Sequence, residues 1–137
     1  MKTLLTGLAA ALALALAADL PLIQPNDLAA QLRVKAPAPL ILHVGPNFLY
    51  RGKHIPGAVY IGQAAEPKGL EALRAAAGKF PHDRDIVLYC GCCPWDHCPN
   101  IQPAFETLRQ MGFKNVKAMY AAVGFKQDWI DRGYPVE

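Results

Sequence analysis

The chain has 137 residues, a formal net charge of +3 from 14 basic and 11 acidic side chains, and a hydrophobic content of 53%. This length suits one domain with one core and is too short for two ordinary domains. The mild charge, which no basic cluster accompanies, argues against nucleic acid as a partner.

Residues 1–18 have the layout of a secretory signal peptide, with one basic residue, then an apolar run, then small residues. The apolar run is shorter than the roughly 20 residues that span a bilayer, and Asp19 ends it. We therefore predict cleavage after Ala17 or Ala18 and a periplasmic or secreted location. The mature domain would cover residues 19–137 and contain no membrane span.

Short apolar runs then alternate with segments of helical spacing. The predicted strands, in chain order, cover residues 40–44, 58–61, 85–90 and 115–119. The predicted helices cover residues 28–34, 70–77, 103–111 and 122–132, and a short helix or an irregular connection covers residues 47–53. Because the strands are mostly continuous apolar runs, the pattern favours a parallel sheet that helices cover on both faces.

Two helix ends carry local signals. Asn26 or Asp27 is predicted to cap the first helix, because short polar side chains can accept the unpaired backbone N–H groups there. Gly112 is predicted to be the C-cap of the helix over residues 103–111, whose Phe105 and Leu108 would face the core.

The four cysteines of the chain all lie between Cys90 and Cys98. Cys90 directly follows the predicted strand, and helical spacing begins just after Asn100. In open α/β sheets the loop at the carboxyl end of a strand usually carries the chemistry. Cysteines outside the cytoplasm tend to oxidise, so four clustered thiols there must be paired, bound to metal or functional.

Five segments resemble, in order and spacing, a single rhodanese-like domain. They are Leu40–Val44, His54–Ala58, Ile86–Cys90, Leu108–Phe113 and Trp129–Val136. The resemblance implies an α/β fold, a rhodanese-like doubly wound domain with a central five-stranded parallel sheet. It also implies that Cys90 is the catalytic cysteine, which takes a sulfane sulfur from a donor and passes it to an acceptor through a covalent persulfide.

On this resemblance the chain is expected to be an exported sulfurtransferase or persulfide carrier that needs no cofactor. Cys92, Cys93 and Cys98 would be relay or resolving thiols beside Cys90. His97, the only histidine of the loop, is an accessory candidate. The expected partners are a small sulfur donor or acceptor and a thiol-bearing protein.

The loop from Cys90 to Asn100 departs from the family pattern, because it is longer than usual and contains no lysine or arginine. The first arginine after the loop is Arg109, well inside the predicted helix. An anionic donor such as thiosulfate would meet backbone dipoles and His97 there, so weak thiosulfate activity is expected. In the neighbouring strand, His43 is expected to be a hydrogen-bonded core histidine or to lie beneath the site.

Spacing excludes two other cysteine chemistries. Cysteine-dependent phosphatases of this fold need an arginine six positions after the nucleophile. Asp96 occupies that position after Cys90, and neither Cys92 nor Cys93 has an arginine there. Covalent haem attachment needs Cys-x-x-Cys-His, and Pro94 stands where the histidine would be.

Two alternatives stay open for the same thiols. Cys90, Cys92, Cys93 and Cys98 could bind copper or zinc, and such a compact cluster suits low-coordinate Cu(I) better than a tetrahedral zinc cage. Alternatively, a disulfide from Cys92 or Cys93 to Cys98 could staple the loop of a non-catalytic binding module. A Cys92–Cys93 disulfide would join neighbouring residues and be strained.

Overall fold

The computed structural model describes residues 19–34 and 37–137, so the predicted signal peptide lies outside the described residues. Its strands are β1 Leu22–Ile23, β2 Leu40–His43, β3 Val59–Tyr60, β4 Ile86–Tyr89 and β5 Val116–Met119. Its helices are α1 Pro25–Arg33, α2 Asn47–Gly52, α3 Pro67–Ala77 and α4 Ile101–Gln110, with a 3-10 turn at Trp95–His97 and a C-terminal π-helical turn at Lys126–Ile130. No helix in these two ranges is both long and apolar enough to cross a membrane.

All five strands form one parallel sheet in the order β1-β5-β4-β2-β3, which confirms the predicted α/β fold. In the centre, β2 and β4 run in register from Leu40 beside Ile86 to His43 beside Tyr89. β1 is the strand that the periodicity does not predict. It has only two residues, and its partner β5 is distant in sequence, so only pairing with β5 identifies it as a strand.

The two faces of the sheet carry separate apolar cores. On β2 and β4, alternate side chains such as Leu42 and Leu88 pack against α3 and α4. The side chains between them, such as Ile41 and Val87, pack with the buried residues of α1 and the C-terminal turn. This is the two-sided burial that the continuous apolar runs predict. Cys90 extends the row of β4 that faces α3 and α4.

The predicted cap of α1 is wrong, because the helix begins at Pro25, ahead of both Asn26 and Asp27. Proline suits the first helical position, where its fixed φ is already helical and its missing N–H is not needed. The buried face of α4 is confirmed, because Phe105 and Leu108 lie in the core. The predicted C-cap is wrong by one residue: Met111 is the C-cap, and Gly112 follows it with a φ of 98°, which favours glycine.

The C-terminal helix is shorter than predicted and is wound as a π-helix, Lys126–Ile130. The carboxylate of Asp128 accepts hydrogen bonds from the backbone N–H groups of Val123 and Gly124, at 2.8 and 2.9 Å. These bonds fix the connection that precedes the turn. As a result, Phe125 is buried at the edge of the cysteine loop.

Candidate functional site

The site begins where β4 ends. Cys90 is only 4% exposed and packs within the core between the sheet and α4. The neighbouring connection after β2 holds this position closely, because a Cβ on Gly45 would collide with the carbonyl oxygen of Cys90. The backbone N–H of Val44 also donates to the carbonyl of Tyr89 at 2.9 Å. The carbonyl groups before and after the Cys90 Cα are therefore both held by the connection after β2.

The loop after Cys90 has a defined shape despite its length. Gly91 adopts a φ of 82°, which favours glycine, and turns the chain so that the backbone N–H of Cys92 faces the Cys90 sulfur. Farther along, the N–H of Trp95 donates to the carbonyl of Ala121 at 3.0 Å. At the end of the loop, the buried Asn100 side chain accepts from the N–H of Ala65 at 2.9 Å. These contacts join the loop to two other connections at the same edge of the sheet.

The four cysteine sulfurs converge, with all four Sγ atoms within 4.8 Å of one another. Cys92 Sγ lies 3.0 Å from the sulfurs of both Cys90 and Cys93, while Cys90 and Cys93 are 3.9 Å apart. A disulfide bond is about 2.05 Å long, so all four are free thiols in this structure. The disulfide from Cys98 to Cys92 or Cys93 stays a prediction about the oxidised protein.

The thiols divide into a buried and a more accessible pair. Cys90 and Cys98 are buried, Cys93 is half-buried and Cys92 is exposed. Cys98 lies just before α4, and the backbone N–H of Asn100 faces its sulfur. A ligand or reagent from solvent therefore reaches Cys92 more readily than Cys90.

The neighbouring thiols make Cys90 the acidic member of the cluster. A hydrogen bond from Cys98 lowers the pKa of Cys90 most, and further bonds from Cys92 and Cys93 help to bring it to about 5, although burial opposes them. The pKa of Cys98 is raised because it donates to Cys90 and is buried. The pKa of Cys92 is raised by burial and by its bond to Cys90. At neutral pH the cluster therefore carries its thiolate on Cys90, which is the form that attacks sulfur.

His97 lies apart from the four sulfurs. Its side chain is 76% exposed, and its Nδ1 lies 3.0 Å from a carboxylate oxygen of Asp96. The structure brings the four predicted cysteines together and leaves this predicted accessory residue on the surface.

His43 is fully buried and lies beneath the loop. Its Nδ1 accepts the N–H of Gly45 at 3.3 Å, so its proton is on Nε2, and Nε2 has no hydrogen-bond partner. A Cβ on Gly91 would lie 2.8 Å from that nitrogen. Burial lowers the pKa of His43 to about 4, so the ring is neutral at physiological pH. The expectation of a core histidine beneath the site is confirmed, and its unpaired nitrogen could not be predicted.

Two hollows adjoin the loop. A small cavity of about 10 Å³ is lined by Cys90, Cys93 and Cys98 together with apolar side chains. This volume is about what one water molecule requires. The apolar lining includes Met119 and Phe125, which come from β5 and from the start of the C-terminal turn.

An open groove of about 430 Å³ lies on the other side of Gly91 and Phe125. Phe48 and Ile130 line its apolar walls, and two cations, Lys53 and Lys126, lie on its rim. Lys126 pairs with Asp131, whereas Lys53 makes no ion pair within residues 19–34 and 37–137. Sequence reasoning missed this groove because its walls come from α2 and the C-terminal turn, which are far apart along the chain.

The loop from Cys90 to Asn100 contains no arginine. Arg109, the first arginine after the loop, extends from α4 and pairs with Glu106 at 2.9 Å. Two lysines, Lys53 and Lys126, line the groove that Gly91 of the loop also lines.

Comparison with known proteins agrees with the fold. Residues 24–123 match the Rhodanese-like domain family. Among solved structures, the chain is similar to the Alr3790 protein from Anabaena sp., at 26% identity and a TM-score of 0.64 over 84% of this chain and 81% of that one.

Two more distant structures share the fold. The BH2092 protein from Bacillus halodurans is 20% identical, with a TM-score of 0.65 over 85% of this chain and 76% of its own. A single-domain sulfurtransferase from Saccharomyces cerevisiae is 15% identical, with a TM-score of 0.61 over 84% of this chain and 92% of its own. No curated protein has a matching sequence.

Proposed function

The chain belongs to the rhodanese-like domain family, and from that membership we propose that it is a sulfurtransferase or persulfide carrier in which Cys90 accepts the sulfur. The observation that carries the proposal is the position of Cys90 at the end of β4, where three further thiols surround its sulfur within 4.8 Å. Hydrogen bonds from those thiols favour the thiolate, and a thiolate is the nucleophile that sulfur transfer needs.

The first step is attack of the Cys90 thiolate on the sulfane sulfur of a donor. With thiosulfate, the new S–S bond forms on Cys90, the bond between the two sulfurs of the donor breaks, and sulfite leaves with the electron pair. The product is a Cys90 persulfide anion. The same S–H donors that stabilise the thiolate can stabilise this anion, because both carry their charge on sulfur.

The second step uses Cys92, whose sulfur lies 3.0 Å from that of Cys90 and which is exposed. Attack by Cys92 on the outer sulfur, with the thiol proton of Cys92 passing to that sulfur, leaves a persulfide on the exposed Cys92 and returns Cys90 to the thiolate. Attack on the inner sulfur forms a Cys90–Cys92 disulfide and releases sulfide, after which an external dithiol must reduce the disulfide. Both outcomes make Cys92 the point of contact with a thiol-bearing partner.

The groove beside Gly91 supports a small donor or acceptor as the partner. Its volume of about 430 Å³ is in the range of small-molecule sites, and its rim carries Lys53 and Lys126. Lys53, which makes no ion pair within the described residues, would attract an anionic donor and partly replace the cation that the loop lacks.

We also propose that the domain acts outside the cytoplasm. The support is the sequence of residues 1–18, which has the layout of a cleavable signal peptide. Mass measurement of the protein from separated cell fractions tests this point. The proposal requires a mature chain that starts near Asp19 and is recovered outside the cytoplasm; a full-length cytoplasmic chain would contradict it.

The sulfur-transfer proposal is tested on reduced, metal-free protein under anaerobic conditions. The chain is loaded with thiosulfate, desalted and weighed intact, and transfer to an external thiol is then followed. We expect the wild-type chain to gain one sulfur atom and Cys90→Ser to gain none. Cys92→Ser should still load Cys90 but pass sulfur to the external thiol about tenfold more slowly.

The matched control is His97→Ala, which changes an exposed residue of the same loop and should leave both steps unchanged. A Cys90→Ser variant that keeps full sulfur transfer would overturn the assignment of the acceptor. A Cys92→Ser variant that transfers sulfur at the wild-type rate would remove the relay and leave Cys90 alone in the mechanism.

A further inference from the structure

The small cavity beside Cys90 has a chemical character that sulfur transfer does not require. Three thiols, Cys90, Cys93 and Cys98, line a space of about 10 Å³, which holds little more than one small atom or ion. The thioether residue Met119 and the aromatic residue Phe125 are among the other residues that line it. Apart from the thiols, its lining is predominantly apolar.

The separations of the sulfurs agree with ligation of one ion. Metal–sulfur bonds of about 2.3 Å place sulfurs about 3.8 Å apart around a tetrahedral centre and slightly farther apart around a trigonal one. Cys90 and Cys93 are 3.9 Å apart, and Cys98 lies within 4.8 Å of both.

The type of ligand and the number of ligands favour one class of ion. Thiolate and thioether sulfur select soft cations such as Cu(I), whereas structural zinc almost always takes four ligands. Cys92, the only remaining thiol, is exposed and does not line the cavity. The cavity therefore presents a three-sulfur, water-poor environment, which suits three-coordinate Cu(I).

Backbone N–H groups also help to stabilise the negative charge of buried thiolates in this cavity. The backbone N–H groups of Cys92 and Asn100 face the sulfurs of Cys90 and Cys98. Asn100 is fixed in turn by its side-chain bond to Ala65. No lysine or arginine lies in the loop itself, so a bound cation would neutralise the thiolates directly.

We propose that the thiolates of Cys90, Cys93 and Cys98 bind one Cu(I) ion, and that copper and the transferred sulfur exclude each other because both use Cys90. Binding displaces the remaining thiol protons to solvent and moves no electrons, since copper enters and stays as Cu(I). This inference goes beyond the proposed sulfur transfer and gives the same site a second, regulatory ligand. Copper would block the persulfide, and a persulfide on Cys90 would block copper.

The test is an anaerobic titration of the reduced mature chain with Cu(I), in competition with a coloured Cu(I) chelator. We expect one Cu(I) per chain, and we expect sulfur loading from thiosulfate to fall in proportion to the copper bound. Cys93→Ser and Cys98→Ser should each weaken Cu(I) binding at least about tenfold. Because Cys98 is buried, the fold of that variant is first checked by circular dichroism, and the half-buried Cys93 supplies the independent variant.

Two comparisons make the geometry falsifiable. Cys92→Ser should keep Cu(I) affinity within about threefold, because its sulfur does not line the cavity. An equal loss in Cys92→Ser and Cys98→Ser would overturn the three-sulfur set. Zn(II) should not displace the Cu(I) at stoichiometric concentration, and full displacement would overturn the choice of ion. His97→Ala serves as the control that should match the wild-type protein throughout.

Copper binding and sulfur transfer can be refuted separately. If the chain takes up no stoichiometric Cu(I) while the metal-free chain still gains one sulfur, the copper inference is wrong and sulfur transfer stands. If the chain binds Cu(I) tightly but the metal-free chain gains no sulfur, the sulfur-transfer proposal is wrong and the site is a copper site alone.

Discussion

Two connections leave the sheet side by side, one after β2 and one after β4, and they have opposite characters. The connection after β2 is compact and buried at Val44 and Gly45 and carries no reactive group. The connection after β4 is long and partly exposed and carries all four thiols. They meet where Gly45 touches the Cys90 carbonyl and where His43 lies under Gly91. The reactive loop can be enlarged because its neighbour, and not its own residues, fixes the position of Cys90.

Gly45→Ala should have the largest effect on the contact between the two connections. The added Cβ would collide with the backbone of Cys90, which cannot move without breaking the pairing of the central strands. We expect the free energy of unfolding, measured with urea, to fall by about 3 kcal/mol. Gly52→Ala is the control, since nothing lies within 4 Å of its Cβ and its effect should stay below about 1 kcal/mol. Equal effects in the two variants would show that the connections are independent.

The second contact can be examined through pH. His43 is neutral in the fold, with a pKa lowered to about 4, whereas an unfolded histidine titrates near 6.5. Its contribution to stability is therefore complete above about pH 6.5 and is lost as the pH falls towards 4. We expect the wild-type protein to lose about 2 kcal/mol between pH 7 and 4.5 through this group.

In the His43→Leu variant, the free energy of unfolding should lack this decrease between pH 7 and 4.5, whatever its value at pH 7. The measurement is urea unfolding at several pH values in that range. His97→Ala should keep the wild-type slope, because that side chain is largely exposed. Parallel curves for the wild-type and His43→Leu proteins would refute the idea that the end of β2 holds a buried neutral imidazole beneath the loop.

The reactivity of the connection after β4 depends on the thiolate form of Cys90. Because its pKa is lowered to about 5, alkylation of Cys90 by iodoacetamide should be independent of pH near neutrality and fall about tenfold per unit below 5. Cys98→Ala removes the strongest donor, so the half-maximal pH of alkylation should move upward. Fragment mass spectra identify the alkylated cysteine. If the half-maximal pH is the same in Cys98→Ala and the wild-type protein, the hydrogen bond from Cys98 is not what lowers the pKa of Cys90.

The smallest expected effect concerns the groove that borders both connections. Lys53→Ala should raise the KM for thiosulfate about threefold at low salt and leave kcat unchanged, because an exposed cation aids encounter more than chemistry. Added salt should reduce the difference between the two proteins. Lys114→Ala, an exposed lysine that does not line the groove, is the control. A loss in kcat alone would place Lys53 in the chemistry and not on the rim.

Much of the fold follows from local patterns in the sequence. The runs at β2 and β4 are short and mostly apolar, and the spacing of Phe105 and Leu108 marks the buried face of α4. These signals are local because strand and helix periodicities repeat within a few residues. β1 could not be predicted, because only its pairing with the distant β5 defines it as a strand. The π-helical turn at Lys126–Ile130 could not be predicted either, because it forms together with the side-chain hydrogen bonds of Asp128 and Trp129, which no local pattern shows.

The sequence by itself determined that Cys90 stands at the end of a buried strand, that all four thiols share one loop and that this loop has no lysine or arginine. Only the tertiary structure decided which sulfurs face one another, which thiols are buried, and that His97 lies outside the cluster. The reason is physical. Spacing along a loop limits how far two side chains can be apart, but contacts with Gly45, Ala65 and Ala121 determine where the loop folds.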